Sequence, residues 1–295
     1  MYDLKEPRYY KAKNRTILGD IRDKQRLIDA TEECSIIFHL ATIPPSSHLS
    51  KKEIYDIEIE GTKNIIEAAL KNGIKKIIFC SSCSHVYGIQ PPENIPTKES
   101  ASLNPINEYG KNKVRAEKLL MKASEKNELT VIVLRLSMVV GKYNSDPILI
   151  ENVKKMLKNK NIFIPGKGNT INQSVHVNDV NQALFSAAKI PVSRLDGNNV
   201  FNISGAEVLT VNEWMKLAKK SCNSKSKLLH LPVFLSRFIV NMGWIFNATK
   251  IHPSYIRLLN TDQYFDISRA EKILGWSPKH RALEGIKETV EFLIK

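Results

Sequence analysis

Cysteine is scarce in this 295-residue chain: Cys34, Cys80, Cys83 and Cys222 show no paired spacing of the kind that staples a small secreted fold. Such sparse, unpaired thiols suit a reducing cytoplasm. Cys80-Ser-Ser-Cys83 is formally C-x-x-C, but it has neither a helix N-terminus nor a second ligand pair beside it. No redox centre and no metal site is therefore expected, and the two thiols are assigned to a strand core and a site edge. No apolar run reaches the ~18 residues of a spanning helix; the nearest, 233–246, is interrupted by Ser236, Arg237 and Asn241. The start, Met1-Tyr-Asp-Leu-Lys-Glu-Pro, lacks the apolar core of a signal peptide. Internal repeats and low-complexity linkers are absent, and no nucleic-acid motif accompanies the net charge of +14.

What is present is enough for a full core. At 295 residues and 42% hydrophobic, the chain can form one large domain or a domain with a subdomain. Its lysines gather at 11–13, 51–52, 154–160 and 216–227, mostly on presumed helix faces. They make a solvated basic surface, or one that attracts an anionic partner such as a nucleotide-linked substrate or an acidic membrane. Short apolar strands are expected at 36–41, 77–80 and 130–136, with a helix over 54–70 that stops at Asn72-Gly73. Strands alternating with helices predict a parallel, doubly wound α/β sheet, its strand ends at Leu40, Ser82 and Leu136 converging on one crevice. Beyond Gly141 the pattern changes: a helix over 148–157, a strand from Ile162, then Ser174-Val-His-Val-Asn-Asp179 running into a helix with Asp179 as its N-cap. Thr210-Val-Asn-Glu213 has capping-box spacing.

The chain is organised around 77–113. An apolar strand, Ile77-Ile78-Phe79-Cys80, breaks into Ser81-Ser82-Cys83-Ser84 and continues through His85-Val86-Tyr87-Gly88. After a proline-rich loop comes Tyr109-Gly110-Lys111-Asn112-Lys113. Tyr109 and Lys113, four apart, share one helix face. An ammonium beside a phenol favours phenolate and lowers the tyrosine pKa from its usual ~10, giving an acid or base usable near neutral pH.

Ser-Ser-(x)n-Val-Tyr-Gly followed by Pro105-x-x-x-Tyr109-Gly-Lys-x-Lys113 resembles the extended short-chain dehydrogenase/reductase superfamily, in its NAD-dependent epimerase/dehydratase group. The resemblance runs through Ser174–His176 with Asp179 (V-H-V-x-D-V) to Phe265-Asp-Ile-Ser268…Leu-Gly275-Trp276, where Ser268 would cap a helix and Gly275 end it. It implies a Rossmann-like NAD-binding domain over 1–140 and a smaller α/β substrate subdomain mainly over 141–295, with segments returning to the first. It also implies roles. Tyr109 exchanges a proton with the substrate while hydride passes to or from NAD, and Lys113 positions the nicotinamide ribose and tunes Tyr109. A serine or threonine holds the reacting oxygen: counting from Ser81-Ser82 gives Ser82, counting back from Val86-Tyr87-Gly88 gives Cys83, and Ser84 is a third candidate. A thiol donates a weaker hydrogen bond than a hydroxyl, which favours Ser82.

For the cofactor, the resemblance implies Asp3 on the adenosine ribose, Asp20 and Ile21 of Gly19-Asp-Ile-Arg-Asp23 beside the adenine, and Leu40, Ala41 and Thr42 along the nicotinamide end. Neither G-x-x-G-x-x-G nor G-x-G-x-x-G occurs, although such a turn receives the cofactor pyrophosphate at a helix N-terminus. The expectation is that the first strand, Gly-rich turn and helix, roughly 30 residues, are missing ahead of Met1, so that the chain is either an incompletely read enzyme or a non-catalytic remnant.

On the substrate side, the family's nucleotide-sugar members often place Asn after the L-R-x-x segment and Arg shortly before V-H-V. Here Met138 and Asn172 stand there. Losing a bidentate phosphate ligand removes a strong anchor. A nucleotide-sugar epimerase or dehydratase is the leading reading; a hydroxysteroid-dehydrogenase-like or ketone-reductase-like enzyme on an apolar substrate is the alternative, favoured by the apolar run 233–246. That run packs on the main domain, covers an apolar pocket or makes weak contact with a membrane surface. The remaining expected partner is a second copy of the chain, as a homodimer, and no nucleic acid.

Overall fold

In the computed structural model, which describes residues 1–5, 16–126, 128–144 and 146–294, four parallel strands build the main sheet. Their order is Ile36–His39, Lys76–Ser82, Thr130–Leu136, Val200–Ile203. The two central strands are apolar through residues 77–79 and 131–134 because both faces are covered there. Ile77, Phe79, Val131 and Val133 pack on helices Lys24–Ala30, Gly61–Lys71 and Glu108–Lys126. Ile78, Ile132 and Leu134 face helix Val177–Lys189 and Trp276. Each such side chain contributes about 1.5–3 kcal/mol by burial. Lys76, at the start of its strand, donates to the carbonyls of Ala187, Ala188 and Ile190 at 2.8–3.3 Å. These carbonyls stand at a helix C-terminus, where they lack intrahelical donors and a cation is favourable.

Tyr2–Asp3 pairs in parallel with Ile17–Leu18 in a two-stranded sheet of its own. Among the described residues no strand joins this pair to Ile36–His39, and Phe38 and Leu40 are exposed there. Of the basic stretches, the lysines at 11 and 13 lie outside the described residues.

The helix expected over 54–70 is three pieces: Lys51–Tyr55, opened by a Ser50–Glu53 capping box, a π-helical turn Asp56–Glu60, and Gly61–Lys71. The wider turn leaves Glu58 and Ile59 buried. Gly61 meets the Ile21 side chain so closely that a Cβ there would collide with it.

In the second half, short parallel pairs join Met138–Val140 to Ser174–His176 and Ile162–Pro165 to Leu228–Leu231. Helices Pro147–Leu157, Val211–Ser221 and Ala282–Ile294 close over them around Leu149, Val153, Met156, Trp214 and Ile286. The Thr210–Glu213 capping box is present. Asp179 is not an N-cap: His176 caps the helix, its ring nitrogen accepting from the Asn178 N–H at 3.1 Å. The buried Asp179 carboxylate instead accepts the backbone N–H groups of Lys279 and His280 and the His280 ring, a distant loop outcompeting the local bond. Ser268 likewise lies inside the first turn, its N–H bonded to Asp266, while Gly275 ends the segment at φ 65°.

Candidate active site

Parallel strands place their C-terminal ends on one edge. There Thr42, Ser82 and Ser137, each just past or at the end of a neighbouring strand, line a cavity of about 520 Å³. Tyr109 also lines it. Its helix, Glu108–Lys126, starts where the Asn107 side chain accepts the Gly110 N–H at 2.8 Å, an N-cap bond. A Cβ on Gly110 would collide with the His85 carbonyl, so glycine allows this helix to press on Cys83–Tyr87. The His85 ring stands edge-on to Tyr109 with centroids 4.9 Å apart.

Lys113 lies one turn on and is almost wholly enclosed. Its ammonium is 3.6 Å from Glu58 Oε2, 3.3 Å from the Cys80 carbonyl, 4.7 Å from the Phe79 ring centre and 5.7 Å from that of Tyr109. Glu58 also accepts from the Thr42 hydroxyl at 2.7 Å and the Ile43 N–H at 2.5 Å. Sequence reading missed Glu58. The signal was there: Glu58, Thr62, Ile65 and Ala69 fall on one helix face, and the other three are apolar or small.

The expected lowering of the Tyr109 pKa does not hold. Burial pushes it above the usual value; Lys113, and the neighbouring Thr42 hydroxyl, pull it down only in part, and Glu58 pushes it further up. The carboxylate that anchors Lys113 also offsets its field.

Of the hydroxyl candidates, Ser82 and Ser84 line the cavity. Ser82 Oγ lies 3.2 Å from His85 Nδ1, and His85 Nε2 is buried without a partner among the described residues. Burial holds that imidazole neutral, its pKa down to about 4. Cys83 is fully buried beneath the strand end and its thiol donates to the Arg135 carbonyl at 3.0 Å. Burial raises the Cys83 thiol and pushes Cys80 up to about 12, so neither is a ready thiolate. Under this edge Arg135 and Glu117 form a buried two-pronged pair at 2.6 and 3.1 Å, and Ser81 donates to the same carboxylate.

The remaining sequence candidates spread along the sheet edge. Asp3 is exposed and accepts the Lys5 N–H. The Asp20 carboxylate is gripped by Arg22 at 2.5–3.0 Å, which holds it below the usual carboxylate range, and Ile21 rests on Gly61. Leu40 is exposed and Ala41 half-buried beside Thr42. Met138 and Asn172 both line the cavity, with Trp214, Met215, Leu258 and Leu259 supplying apolar wall. Among the described residues no cluster of three His, Cys, Asp or Glu side chains could hold a metal.

A parallel sheet with helices on both faces and a tyrosine, lysine and serines at its C-terminal edge defines a Rossmann-type α/β enzyme. The chain belongs to the NAD dependent epimerase/dehydratase family, whose description it matches over residues 3–204. It is 28% identical over 285 residues to a putative UDP-glucose 4-epimerase of Methanocaldococcus jannaschii, covering 93% of this chain and 82% of the relative. It is 25% identical over 292 residues to 3beta-hydroxysteroid-dehydrogenase/decarboxylase isoform 2 of Arabidopsis thaliana, covering 93% of this chain and about half, 51%, of the relative. Among solved structures, the UDP-glucose 4-epimerase of Thermotoga maritima with UDP-glucose superposes with a TM-score of 0.79 at 25% identity, over 97% of this chain and 86% of that one. Among the described residues no helix is long and apolar enough to cross a membrane.

Proposed function

We propose that the chain is an NAD-dependent epimerase/dehydratase-type oxidoreductase acting on a nucleotide-sugar, with Tyr109 as its acid/base. The observation that carries this is Tyr109 on the cavity wall with Lys113 and Glu58 enclosed behind it and Ser82 beside it. NAD supplies the hydride acceptor and donor when bound. Lys113, Tyr109, Thr42, Ala41 and Leu40 suit its nicotinamide end, and Asp3, Asp20 and Ile21 its adenosine end; the sequence carries no Gly-rich turn for the pyrophosphate.

Tyr109, as its phenolate, takes the proton of a substrate hydroxyl and, as the phenol so formed, returns it to the carbonyl oxygen. Ser82, rather than Cys83, donates to that same oxygen, and His85 Nδ1 holds the Ser82 hydroxyl in place. Lys113 stabilises the phenolate through space, kept charged and oriented by Glu58. Residues 1–140 serve the cofactor and 141–295 mainly the substrate. Four free thiols suit the cytoplasm, and a homodimer remains part of the expectation.

A second reading, an apolar alcohol or ketone as substrate, is favoured by Met138 and the apolar wall around Trp214 and Leu258. Calorimetric titration with NAD, followed by turnover assays with UDP-hexoses and with hydroxysteroids, tests both. Activity on UDP-hexoses that Tyr109→Phe abolishes supports the first reading; activity confined to steroids supports the second. Failure of the chain to bind NAD at all would overturn both readings for the chain as it stands.

A further inference from the structure

The helix Val233–Ile245 presents large apolar side chains to solvent instead of to a core. Phe234 is 76% exposed, Phe238 61%, Ile245 66%, and the adjoining Phe246 76%. At 100° per residue, Phe234, Phe238 and Ile245 fall within one narrow sector, while the buried Ser236 is on the opposite side. Arg237 flanks the apolar sector. Scattered exposed apolar residues are ordinary, but Phe234, Phe238 and Ile245 along one helix face, broken by Asn241, with Phe246 adjoining, mark an interaction surface.

Against this helix lies a second cavity, of about 200 Å³, bordered by Arg237, Asn241, His252, Ser254 and Arg257. Among the described residues neither guanidinium has a carboxylate partner or a side-chain hydrogen bond. The surrounding sequence is one-sided in charge: from Trp214 to Thr261 the chain carries eight Lys or Arg and no Asp or Glu.

We propose that the Val233–Ile245 helix and this basic cleft form a docking surface for an anionic lipid bilayer. Phe234, Phe238, Ile245 and Phe246 enter the headgroup–acyl boundary, while Arg237 and Arg257 take lipid phosphates. At 13 residues the helix is too short to span the hydrocarbon core and lies along its surface. Charge decides between the bilayer and a second copy of the chain. A two-fold contact through this face would set the positive patch against itself, and the stretch 214–261 contains no Asp or Glu to relieve it. A soluble anion could fill the cleft but would leave the aromatic stripe uncovered.

The surface stands close to the candidate active site. Helix Ser254–Leu259 turns Tyr255, Leu258 and Leu259 to the large cavity, and its Ser254 and Arg257 border the basic cleft. Trp244 stacks on His48 at 4.1 Å, in the segment that follows cavity-lining Thr42 and Pro44. Docking therefore holds the cavity one short helix from the headgroups. The proposal does not rest on the substrate reading.

The test is co-sedimentation of the full chain with vesicles of phosphatidylcholine alone and of phosphatidylcholine with phosphatidylglycerol. Binding is expected to the anionic vesicles, weakening as salt rises from about 0.1 M to about 0.5 M and the Debye length contracts. Arg237→Gln with Arg257→Gln is expected to weaken vesicle affinity by about tenfold or more. Phe234→Ser with Phe238→Ser is expected to weaken it comparably, and circular-dichroism melting should stay unchanged for both exposed pairs. No binding to anionic vesicles, or binding indifferent to both pairs, overturns the proposal. So does a dimer in sedimentation velocity that the phenylalanine pair disperses, or a site that inorganic phosphate fills with the phenylalanines irrelevant.

Discussion

The Lys113 ammonium stands 3.6 Å from the Glu58 carboxylate, and both side chains are only 2% exposed. Two charges so enclosed depend on each other, because neither has water to fall back on. The pair sits directly behind Tyr109, so it bears on stability and on the phenol at once.

Removing one charge should separate these effects. Glu58→Gln keeps acceptors for Thr42 and Ile43 but strands the ammonium, and is expected to cost about 3–5 kcal/mol in denaturant unfolding. Glu58 raises the Tyr109 pKa, so the alkaline rise of kcat/KM for alcohol oxidation should move to lower pH in the surviving protein. An unmoved limb would detach Glu58 from Tyr109.

Tyr109→Phe is expected to lower turnover by about 10²–10⁴-fold while NAD affinity by calorimetry stays near its starting value. Ser82→Ala should reduce turnover too. Cys83→Ala should show in the melting temperature and not in kcat, because its thiol is fully buried and bonded to the Arg135 carbonyl. Equal loss of kcat in both variants would return Cys83 to contention.

Gly110→Ala adds a methyl group where the His85 carbonyl already sits. Overpacking at a fixed backbone contact is expected to cost about 1–3 kcal/mol, seen as a lowered urea midpoint. Because Tyr109 is the neighbouring residue, kcat should fall with it.

Acid should destabilise the fold through its buried histidines. Burial depresses His39 to about 3 and His85 to about 4, against an ordinary value of about 6.5. Below that value the unfolded chain takes protons that the folded chain refuses, so stability is lost as pH falls toward the folded pKa values. For His39 alone the slope approaches about 1.4 kcal/mol per pH unit. Thermal melts from neutral pH to pH 4 check it, and His39→Gln, which can still hydrogen-bond Thr62, should flatten the acid limb.

What the sequence determined by itself is whatever depends on neighbours in the chain. The unbroken apolar character of 77–79 and 131–134 meant strands covered on both faces, and the spacing of Tyr109 and Lys113 put them on one side of a helix. Thr210 with Glu213 and the αL residue Gly275 marked a helix start and a helix end, since caps are made within a single turn. Tertiary structure alone decided the rest. Asp179 left the cap position for a loop some hundred residues away, where two backbone N–H groups and the His280 ring converge on its carboxylate. Ser82 faces the cavity and Cys83 the core because the strand ends between them and the chain turns into a helix. Whether Lys113 would lower the Tyr109 pKa turned on the enclosure of both groups and on Glu58, and burial and long-range charge exist only once the sheet and its helices have closed around them.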